Sequence, residues 1–468
     1  MSRFKKVLLG LALFAVSVVL LVAILIGPWP AYSAAGYADS GYYKNAVAAI
    51  AEEAAARNTF TDAPGLLQAG WASRDITPEV GVPMAGYSAR PNGKVSEGVR
   101  DPLHVRALAL SDGQDTLVLV GSDMLITPPN IAEMVRERVA AKTPLLPANV
   151  LFNASHTHCG PGGFAPGFAS KVTGGEYDPA VPEFLAIQFT DAIVEAYGNL
   201  AQARVASGSV DAPQYIRNRM RDNAPVDSEL SYLVAEQQDG ARCYLVSYSA
   251  HPTTFGSRMM RFSAEYPGEL MKHLETETKA DAVYLGGAVG SMGPRAPEGP
   301  DEDARVAAMG QALAKLVLEN TQTLQFEDKL DVAAVGVPVG LPSMQMRPFE
   351  GNTSWRLSPF AGSLLGVPKE GWIHGGRVGK LFFVGLPCDF SGEISIEWKA
   401  WAAGQGLDLW TLSFCAAYCG YFSPDKYYHE TPLNYEMGLM NWYGPENEAY
   451  FTDLFHHVKE ALFPAVAP

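Results

Sequence analysis

Short apolar runs of strand length alternate along this chain with longer segments of helical periodicity, and this alternation restricts the fold more than any other feature. The runs with the length and composition of buried strands are residues 107–111, 116–121, 150–154, 243–250, 282–287, 330–339, 381–386 and 407–416. Apolar residues recur at helical spacing in residues 131–141, 184–200 and 303–319. The pattern predicts an α/β fold, in which mixed β-sheets and flanking helices form one body.

The domain organisation is predicted from changes in composition. Tyr43, Val47 and Ile50 recur at helical spacing among charged residues, so residues 36–65 are predicted to form an amphipathic helix and a linker. After residue 70 the sequence contains no internal repeat and no Gly/Ser-rich or Pro-rich boundary. Residues 66–468 are therefore expected to form a single domain.

Residues 1–35 are predicted to be a membrane anchor or a signal peptide. Basic residues precede an uncharged apolar run at residues 7–26, and about twenty such residues span a hydrocarbon core of roughly 30 Å. Small residues after the run offer a cleavage site, but the run is long for a signal peptide. Trp29 and Tyr32 at its far end favour an uncleaved anchor. Both alternatives, membrane-anchored or secreted, place the rest of the chain on the exported side, periplasmic or extracellular.

The net charge restricts the expected binding partners, and the number of cysteines restricts the possible disulfides. The net charge is -15, from 35 Lys and Arg against 50 Asp and Glu, which is the wrong sign for neutralising a phosphate backbone and excludes nucleic acid as an expected partner. The odd number of cysteines, five, leaves at least one outside any intramolecular disulfide. The sequence leaves the oligomeric state open.

The strongest local signal for chemistry is Ser-His-Thr-His-Cys-Gly-Pro-Gly-Gly at residues 155–163, directly after a predicted strand. In an extended chain residues i and i+2 share a face, so His156 and His158 are expected to point into one pocket at the end of that strand. Active sites of α/β sheets lie at such ends. His251 likewise follows an apolar run. The alternative is that these are ordinary packed or surface histidines.

Two histidines, a carboxylate and an open position would form a hydrolytic zinc site. Such a metal lowers the pKa of its bound water to about 7 and polarises a carbonyl group. Asp389 and Glu393 follow the apolar run at residues 381–386, but spacing alone does not assemble the ligands. Cys388, Cys415 and Cys419 lie close by in sequence, which leaves simple packing, a disulfide or a thiolate ligand open.

Taken in order, several segments resemble the N-terminal catalytic domain of the neutral/alkaline, non-lysosomal ceramidases. They are Ala-Ser-Arg-Asp-Ile-Thr-Pro at 72–78, Met-Ala-Gly-Tyr at 84–87, the histidine segment at 155–163, Asn218-Arg219, Ala-His-Pro at 250–252, Pro-Cys-Asp-Phe-Ser at 387–391 and Tyr-Cys-Gly-Tyr at 418–421. The resemblance extends from residue 70 to about residue 465. It implies one catalytic domain, without the C-terminal immunoglobulin-like domain of the family.

The resemblance also implies a chemistry. The family is zinc-dependent and hydrolyses the N-acyl amide of ceramide, so the expected substrate is ceramide or a related N-acyl lipid, taken from a membrane and cleaved to a sphingoid base and a fatty acid. The implied metal ligands are His156, His251, Asp389 and Tyr421. The residues that the resemblance places at the reaction centre are His158, as the proton carrier, Arg219 and Tyr435.

The sequence departs from the family at the carboxylate ligand and at a functional serine. Asp389 stands where the family has glutamate and is one methylene shorter, so either the backbone brings it closer or Glu393 takes its place. Gly293 aligns with the functional serine, and Ser291, two residues away, is the candidate replacement. The departures leave two alternatives: an exported zinc hydrolase for another acyl amide or ester, and a catalytically weak, membrane-anchored lipid-binding protein.

Overall fold

The computed structural model describes residues 3–28, 34–57, 64–349, 354–430 and 435–464. The helices of this part of the chain are α1 (Arg3–Leu25), α2 (Ala34–Tyr37), α3 (Gly41–Arg57), α4 (Pro129–Lys142), α5 (Phe168–Gly174), α6 (Ala180–Gly198), α7 (Glu265–Thr278), α8 (Glu302–Thr321), α9 (Pro359–Leu365), α10 (Gly392–Gly404), α11 (Tyr435–Gly438) and α12 (Asn447–Leu462).

The strands vary in length from two to eleven residues. They are β1 (Ile26–Gly27), β2 (Gln68–Asp75), β3 (Gly98–Val99), β4 (His104–Ser111), β5 (Thr116–Ser122), β6 (Val150–Ala154), β7 (Ala201–Asp211), β8 (Ile216–Asn218), β9 (Glu229–Gln237), β10 (Arg242–Tyr248), β11 (Arg261–Phe262), β12 (Asp281–Gly286), β13 (Met292–Pro294), β14 (Val332–Gly340), β15 (Arg356–Leu357), β16 (Glu370–Val378), β17 (Leu381–Gly385), β18 (Asp389–Phe390), β19 (Asp408–Leu412) and β20 (Tyr421–Phe422).

Two mixed sheets form the centre of the fold. The larger has eight strands in the order β12-β10-β9-β7-β2-β4-β5-β6, and the smaller has four in the order β14-β16-β17-β19. Most neighbouring strands in these two sheets are antiparallel. Three pairs are parallel: β10 with β12, β5 with β6, and β17 with β19. The predicted α/β fold with mixed sheets is confirmed.

The sheets pack against each other and carry helices on their outer faces. Leu119 and Leu245 of the larger sheet share a hydrophobic cluster with Phe383 and Leu412 of the smaller one. Helix α6 packs on β2 and β4, α7 on β12, and α3 and α12 on the smaller sheet. Burial on both faces explains why the strands are continuous apolar runs and do not alternate with polar residues.

The N-terminal segments contain the helices that the sequence predicts. Helix α3 lies within the predicted amphipathic segment and buries Ala46 and Ile50, whereas residues 58–63 of the predicted linker are outside the described part. Helix α1 is long and apolar enough, over Phe4–Leu25, to cross a membrane, and none of it is buried in the protein. Length and composition alone do not separate an anchor from a signal sequence. The predicted domain limits remain predictions.

The carboxyl ends of β6, β10, β12, β17 and β19 meet in one region, because the two edge strands of the larger sheet are tied together there. The side-chain amide of Asn153 in β6 donates to the carbonyl oxygen of Gly286 in β12 at 3.1 Å and accepts from its N–H at 2.6 Å. The same amide donates to the carbonyl oxygen of Ser413 after β19 at 2.7 Å. The loops that leave these strands therefore start side by side.

Candidate metal centre

Three histidines from the loops after β6 and β10 converge in this region. Nε2 of His158 lies 2.9 Å from Nε2 of His251 and 3.3 Å from Nε2 of His156. The nearest ring nitrogens of all three lie within 4.8 Å of one another. The buried cluster of His156, His158 and His251 can hold a metal ion, and the sequence singled out each of these residues.

The backbone brings His156 and His158 together by a turn and not by an extended strand, which corrects the sequence-based reason for their proximity. Strand β6 ends at Ala154, and His156 has a φ of 66°, in the left-handed region that residues with a side chain seldom adopt. Phe414, also left-handed with a φ of 62°, stacks its ring on His156 at 4.0 Å between centroids. Strained backbone of this kind is common at functional sites, where the surrounding packing enforces it.

Backbone carbonyl groups fix the proton positions on two of the histidines. Nδ1 of His156 lies 2.5 Å from the carbonyl oxygen of Leu125, and Nδ1 of His251 lies 3.3 Å from that of Val289. A carbonyl oxygen only accepts hydrogen bonds, so both Nδ1 atoms carry the proton and both Nε2 atoms present a lone pair. This is the tautomer in which a histidine ligates a metal through Nε2 while a carbonyl group orients the ring.

Burial keeps the three rings neutral. It lowers the pKa of His156 to about 3 and holds the pKa of His158 and of His251 well below the ordinary value, and the positive charge of Arg219 acts in the same direction. The 3.5 Å approach of Nε2 of His156 to Oδ1 of Asp389 is therefore not an ion pair at neutral pH. Neutral imidazole is the form that binds metals.

Asp389 supplies a carboxylate at the edge of the cluster. Its Oδ2 accepts a hydrogen bond from the Tyr418 hydroxyl at 2.8 Å, while its buried Oδ1 has no hydrogen-bond partner among the described residues. Burial raises the pKa of Asp389 to about 7, against the lowering effect of the Arg219 guanidinium. A buried carboxylate oxygen without a donor, beside Nε2 of His156, fits a bound cation, because the positive charge would offset the cost of burial.

The pairing of β18 with β20 places Tyr421 next to Asp389. The two strands are parallel, with Asp389 opposite Tyr421. The Tyr421 hydroxyl accepts a hydrogen bond from Nη2 of Arg219 at 3.0 Å, and Arg219 also donates to the carbonyl oxygen of Gly290 and pairs with Glu436 at 3.2 Å. The structure thus places Arg219 and Tyr421 in contact with each other at the edge of the site.

The remaining predicted residues stand as follows. The Ser291 hydroxyl accepts from the N–H of Gly392 at 2.9 Å, so its contact is with the start of α10. Glu393 accepts from Asn218 at 3.1 Å and from the Tyr427 hydroxyl at 2.7 Å, which engages both of its carboxylate oxygens away from the histidines. Tyr435 begins α11, and its side chain is outside the described part of the chain.

Several residues that contact the site were not singled out by sequence. Tyr418 binds Asp389, Phe414 stacks on His156, and Glu436 pairs with Arg219. The only sequence signal for any of them was that Tyr418 belongs to the segment at 418–421 that resembles the ceramidases. All five cysteines are buried and unpaired, and burial raises the pKa of Cys159 to about 12. The structure therefore contains no disulfide among these thiols.

Gly86 permits the close approach of the histidine loop, and replacing it with alanine is expected to disturb His158. Gly86 has a φ of 116°, and a Cβ atom there would lie 2.8 Å from Cα of His158. We expect a loss of about 1–3 kcal/mol in the free energy of unfolding from the strained backbone and a further loss from the contact. Urea unfolding of the Gly86→Ala variant measures this loss in the free energy of unfolding.

Gly81→Ala is the matched control. Gly81 has a similar φ of 110°, but a Cβ atom there would meet nothing within 4 Å. The two variants share the backbone strain, so the difference between them isolates the contact with His158. Equal destabilisation of the two variants would contradict the expected role of that contact.

Comparison with known proteins by family model and by sequence gives matches to ceramidases in both cases. The family model for the N-terminal domain of neutral/alkaline non-lysosomal ceramidase matches residues 67–314, just over half of the chain. The neutral ceramidase of Mycobacterium tuberculosis (strain ATCC 25618 / H37Rv) is 24% identical over 314 residues, which cover 59% of this chain and 47% of that protein. The chain thus spans about half the length of this curated relative.

Two solved structures share the fold. The neutral ceramidase from Pseudomonas aeruginosa superposes with a TM-score of 0.74 at 20% identity, over 87% of this chain and 77% of that chain. A ceramidase complexed with C2 gives a TM-score of 0.72 at 20% identity, with the same coverage of 87% and 77%. At this level of identity the likeness shows the fold alone.

Proposed function

Since the chain belongs to the neutral/alkaline non-lysosomal ceramidase family, we propose that it is a zinc-dependent amidohydrolase that cleaves the N-acyl amide of ceramide or a related sphingolipid. The observation that carries the proposal is the convergence of three neutral histidines beside a buried carboxylate oxygen that has no donor among the described residues. The products would be a sphingoid base and a fatty acid.

We assign the metal to His156, His251, Asp389 and Tyr421. The donor set of two imidazoles, a carboxylate and a phenol oxygen suits zinc, which accepts nitrogen and oxygen ligands and keeps a position open in catalytic sites. When bound, zinc supplies the Lewis acidity that activates water and polarises a carbonyl group. Asp389 is preferred to Glu393 as the carboxylate, because hydrogen bonds from Asn218 and Tyr427 hold Glu393 elsewhere.

His158 is assigned the proton transfer. Its Nε2 faces the other two histidines, where the reacting water and amide would meet, and burial keeps its ring neutral, which is the form that can accept a proton. The His158 ring takes the proton that the attacking water loses and gives it to the nitrogen of the leaving amine. Tyr87 holds the ring, because it packs against His158 at 4.7 Å between centroids and donates to the carbonyl oxygen of Phe255 at 2.6 Å.

Arg219 and Tyr435 are assigned to the substrate oxygens. Arg219 places a permanent positive charge beside Tyr421, and this charge would stabilise the negative charge that develops on the carbonyl oxygen or bind substrate hydroxyls. Tyr435 is assigned by the resemblance alone. We place the catalytic body on the exported side of the membrane, where α1 would anchor it beside an acylated lipid.

The test is release of sphingoid base from long-chain ceramide by the full chain in detergent micelles. Parallel samples are the His156→Asn variant and the native chain treated with a chelator. Release that both treatments abolish supports a zinc ceramidase. Zinc binding without release of base would overturn ceramide as substrate, and a panel of other acyl amides and esters would then be the next assay.

We propose that Ser291 acts by positioning. Its hydroxyl accepts from Gly392 and lies 3.3 Å from the Ser391 hydroxyl, at the start of the helix that follows Asp389. Ser291→Ala is expected to cost about 1 kcal/mol in the free energy of unfolding, as the loss of a helix cap does, with a loss of rate of about 10- to 100-fold. Loss of all turnover in a variant of native stability would instead identify Ser291 as a catalytic residue that replaces the serine of the family.

A further inference from the structure

The end of α1 is fixed to one face of the protein. Leu25, in the last turn of α1, packs against a small hydrophobic cluster of Met344, Met346 and Ala361. Its carbonyl oxygen accepts from the N–H of Ser358 at 2.9 Å, and β1, which follows α1 directly, pairs with β15. The point at which α1 leaves the body is therefore set by residues 344–346 and 356–361.

Helix α9 begins at this point and exposes apolar side chains. Phe360 is 53% exposed and Leu364 is 63% exposed. They are four residues apart and so lie on the same face of the helix. The opposite face is buried through Ala361 and Gly362. Exposed apolar groups that lie together, unlike single ones, mark an interaction surface.

The stretch of sequence that contains α9 carries one charge. Arg356 is the one charged residue in the segment 354–368, and it is buried. The exposed aromatic residues Trp355 and Phe349 precede α9. Aromatic and aliphatic side chains on an uncharged surface are typical of a protein face at the boundary between lipid and water.

We propose that the face of α9 formed by Phe360 and Leu364, the α9 face, lies in the lipid–water interface of the bilayer that α1 enters. The length of α1 supports this choice of partner: a helix of about 22 residues measures roughly 33 Å, close to the roughly 30 Å thickness of the hydrocarbon core. Leu25 then lies at the exported boundary of the bilayer, and its contacts hold α9 at the same depth. The proposal needs α1 to be retained, and it does not depend on any hydrolytic activity.

Residues 344–346, which pack against the buried side of α9, also contact a wall of the metal centre. The N–H of Gln345 donates to the carbonyl oxygen of Trp442 at 2.7 Å, and the Trp442 ring packs edge-on against Tyr418 at 5.5 Å between centroids. Tyr418 in turn binds Asp389. These contacts link residues 344–346 to the Asp389 side of the site.

Fluorescent labelling at the α9 face tests the proposal. The native cysteines are buried, so Phe360→Cys and Leu364→Cys can each be labelled selectively with an environment-sensitive fluorophore. The full chain is reconstituted in phosphatidylcholine vesicles with and without nitroxide-labelled lipid. We expect the emission of both labels to shift to the blue in vesicles and to lose most of its intensity when the nitroxide lipid is present.

Ile187→Cys is the matched control, since Ile187 is an exposed aliphatic residue, 42% exposed, on α6, which packs on the larger sheet. Its label should show neither change. The proposal is overturned if the nitroxide lipid does not quench the labels at positions 360 and 364, or if it quenches the label at position 187 equally. A blue shift that depends on the number of chains per vesicle and ignores the nitroxide lipid would overturn it in favour of a second copy of the chain. Turnover is not measured, so these outcomes are separate from those of the ceramide assay.

Discussion

Replacing His156 with asparagine is expected to abolish stoichiometric zinc binding and to reduce amide hydrolysis by at least about 100-fold, because a direct ligand should cost more than the 10- to 100-fold typical of outer-shell residues. Nε2 of His156 faces both the other histidines and Oδ1 of Asp389. Asparagine is chosen because it tolerates the left-handed backbone at this position, where alanine adds strain. The variant thus separates loss of the ligand from misfolding of the turn.

The measurement is zinc content per chain after dialysis, beside the rate of base release. His273→Ala serves as the control, because His273 is a half-buried histidine on α7, outside the cluster. Native zinc content in His156→Asn would contradict the assignment of His156 as a ligand. His251→Ala is expected to reproduce the loss independently, since its ring is held by a different carbonyl group.

Zinc is also expected to stabilise the native chain but not the His156→Asn variant. A ligand that binds only the folded state at about 1,000 times its dissociation constant adds about 4 kcal/mol to the free energy of unfolding. A rise in stability is expected because Asp389 is buried without a donor to Oδ1 among the described residues, and a bound cation would offset the cost of burying it. Thermal unfolding with and without added zinc would show a rise in Tm for the native chain only.

The architecture could be predicted from the sequence where burial on both faces made the signal strong. Strand β6 has the predicted bounds, β5 and β17 differ from prediction by one residue at one end, and β12 differs by one residue at each end. By contrast β16 was missed, since it contains three glycines that disfavour a strand. Packing requires these glycines: a Cβ atom at Gly375 would lie 2.3 Å from Cγ1 of Val458. Because this requirement comes from a residue far along the chain, the local sequence does not show it.

The three clustered histidines could be singled out from the sequence, but their geometry could not be predicted. Residues 155–163 and His251 stood out because they follow apolar runs. The predicted strand at residues 407–416 ends at Leu412, because Phe414 and Ala416 are left-handed and turn the chain toward the site. The meeting of Asp389 with Tyr421 depends on two strands of two residues each, which leave no periodic signal in a sequence.

Arg219 is expected to be the second residue with a large effect on rate. Replacing it with glutamine removes the positive charge that contacts Tyr421 and should lower kcat by about 100- to 1000-fold, with a smaller change in KM, if that charge stabilises the transition state. Steady-state kinetics on ceramide in micelles measure both constants. A fall in affinity with kcat unchanged would instead assign Arg219 to the binding of substrate hydroxyls.

The structural role of Arg219 must be separated from its effect on rate. Its ion pair with Glu436 is largely buried, with 16% and 3% of the two side chains exposed, and removing one partner of a buried pair costs about 3–5 kcal/mol. The double variant Arg219→Gln with Glu436→Gln removes both charges and should recover most of the stability. If it also recovers the rate, Arg219 serves the fold. If it folds and stays slow, the guanidinium itself acts on the reaction, because the stability cost has been removed and the loss of rate persists.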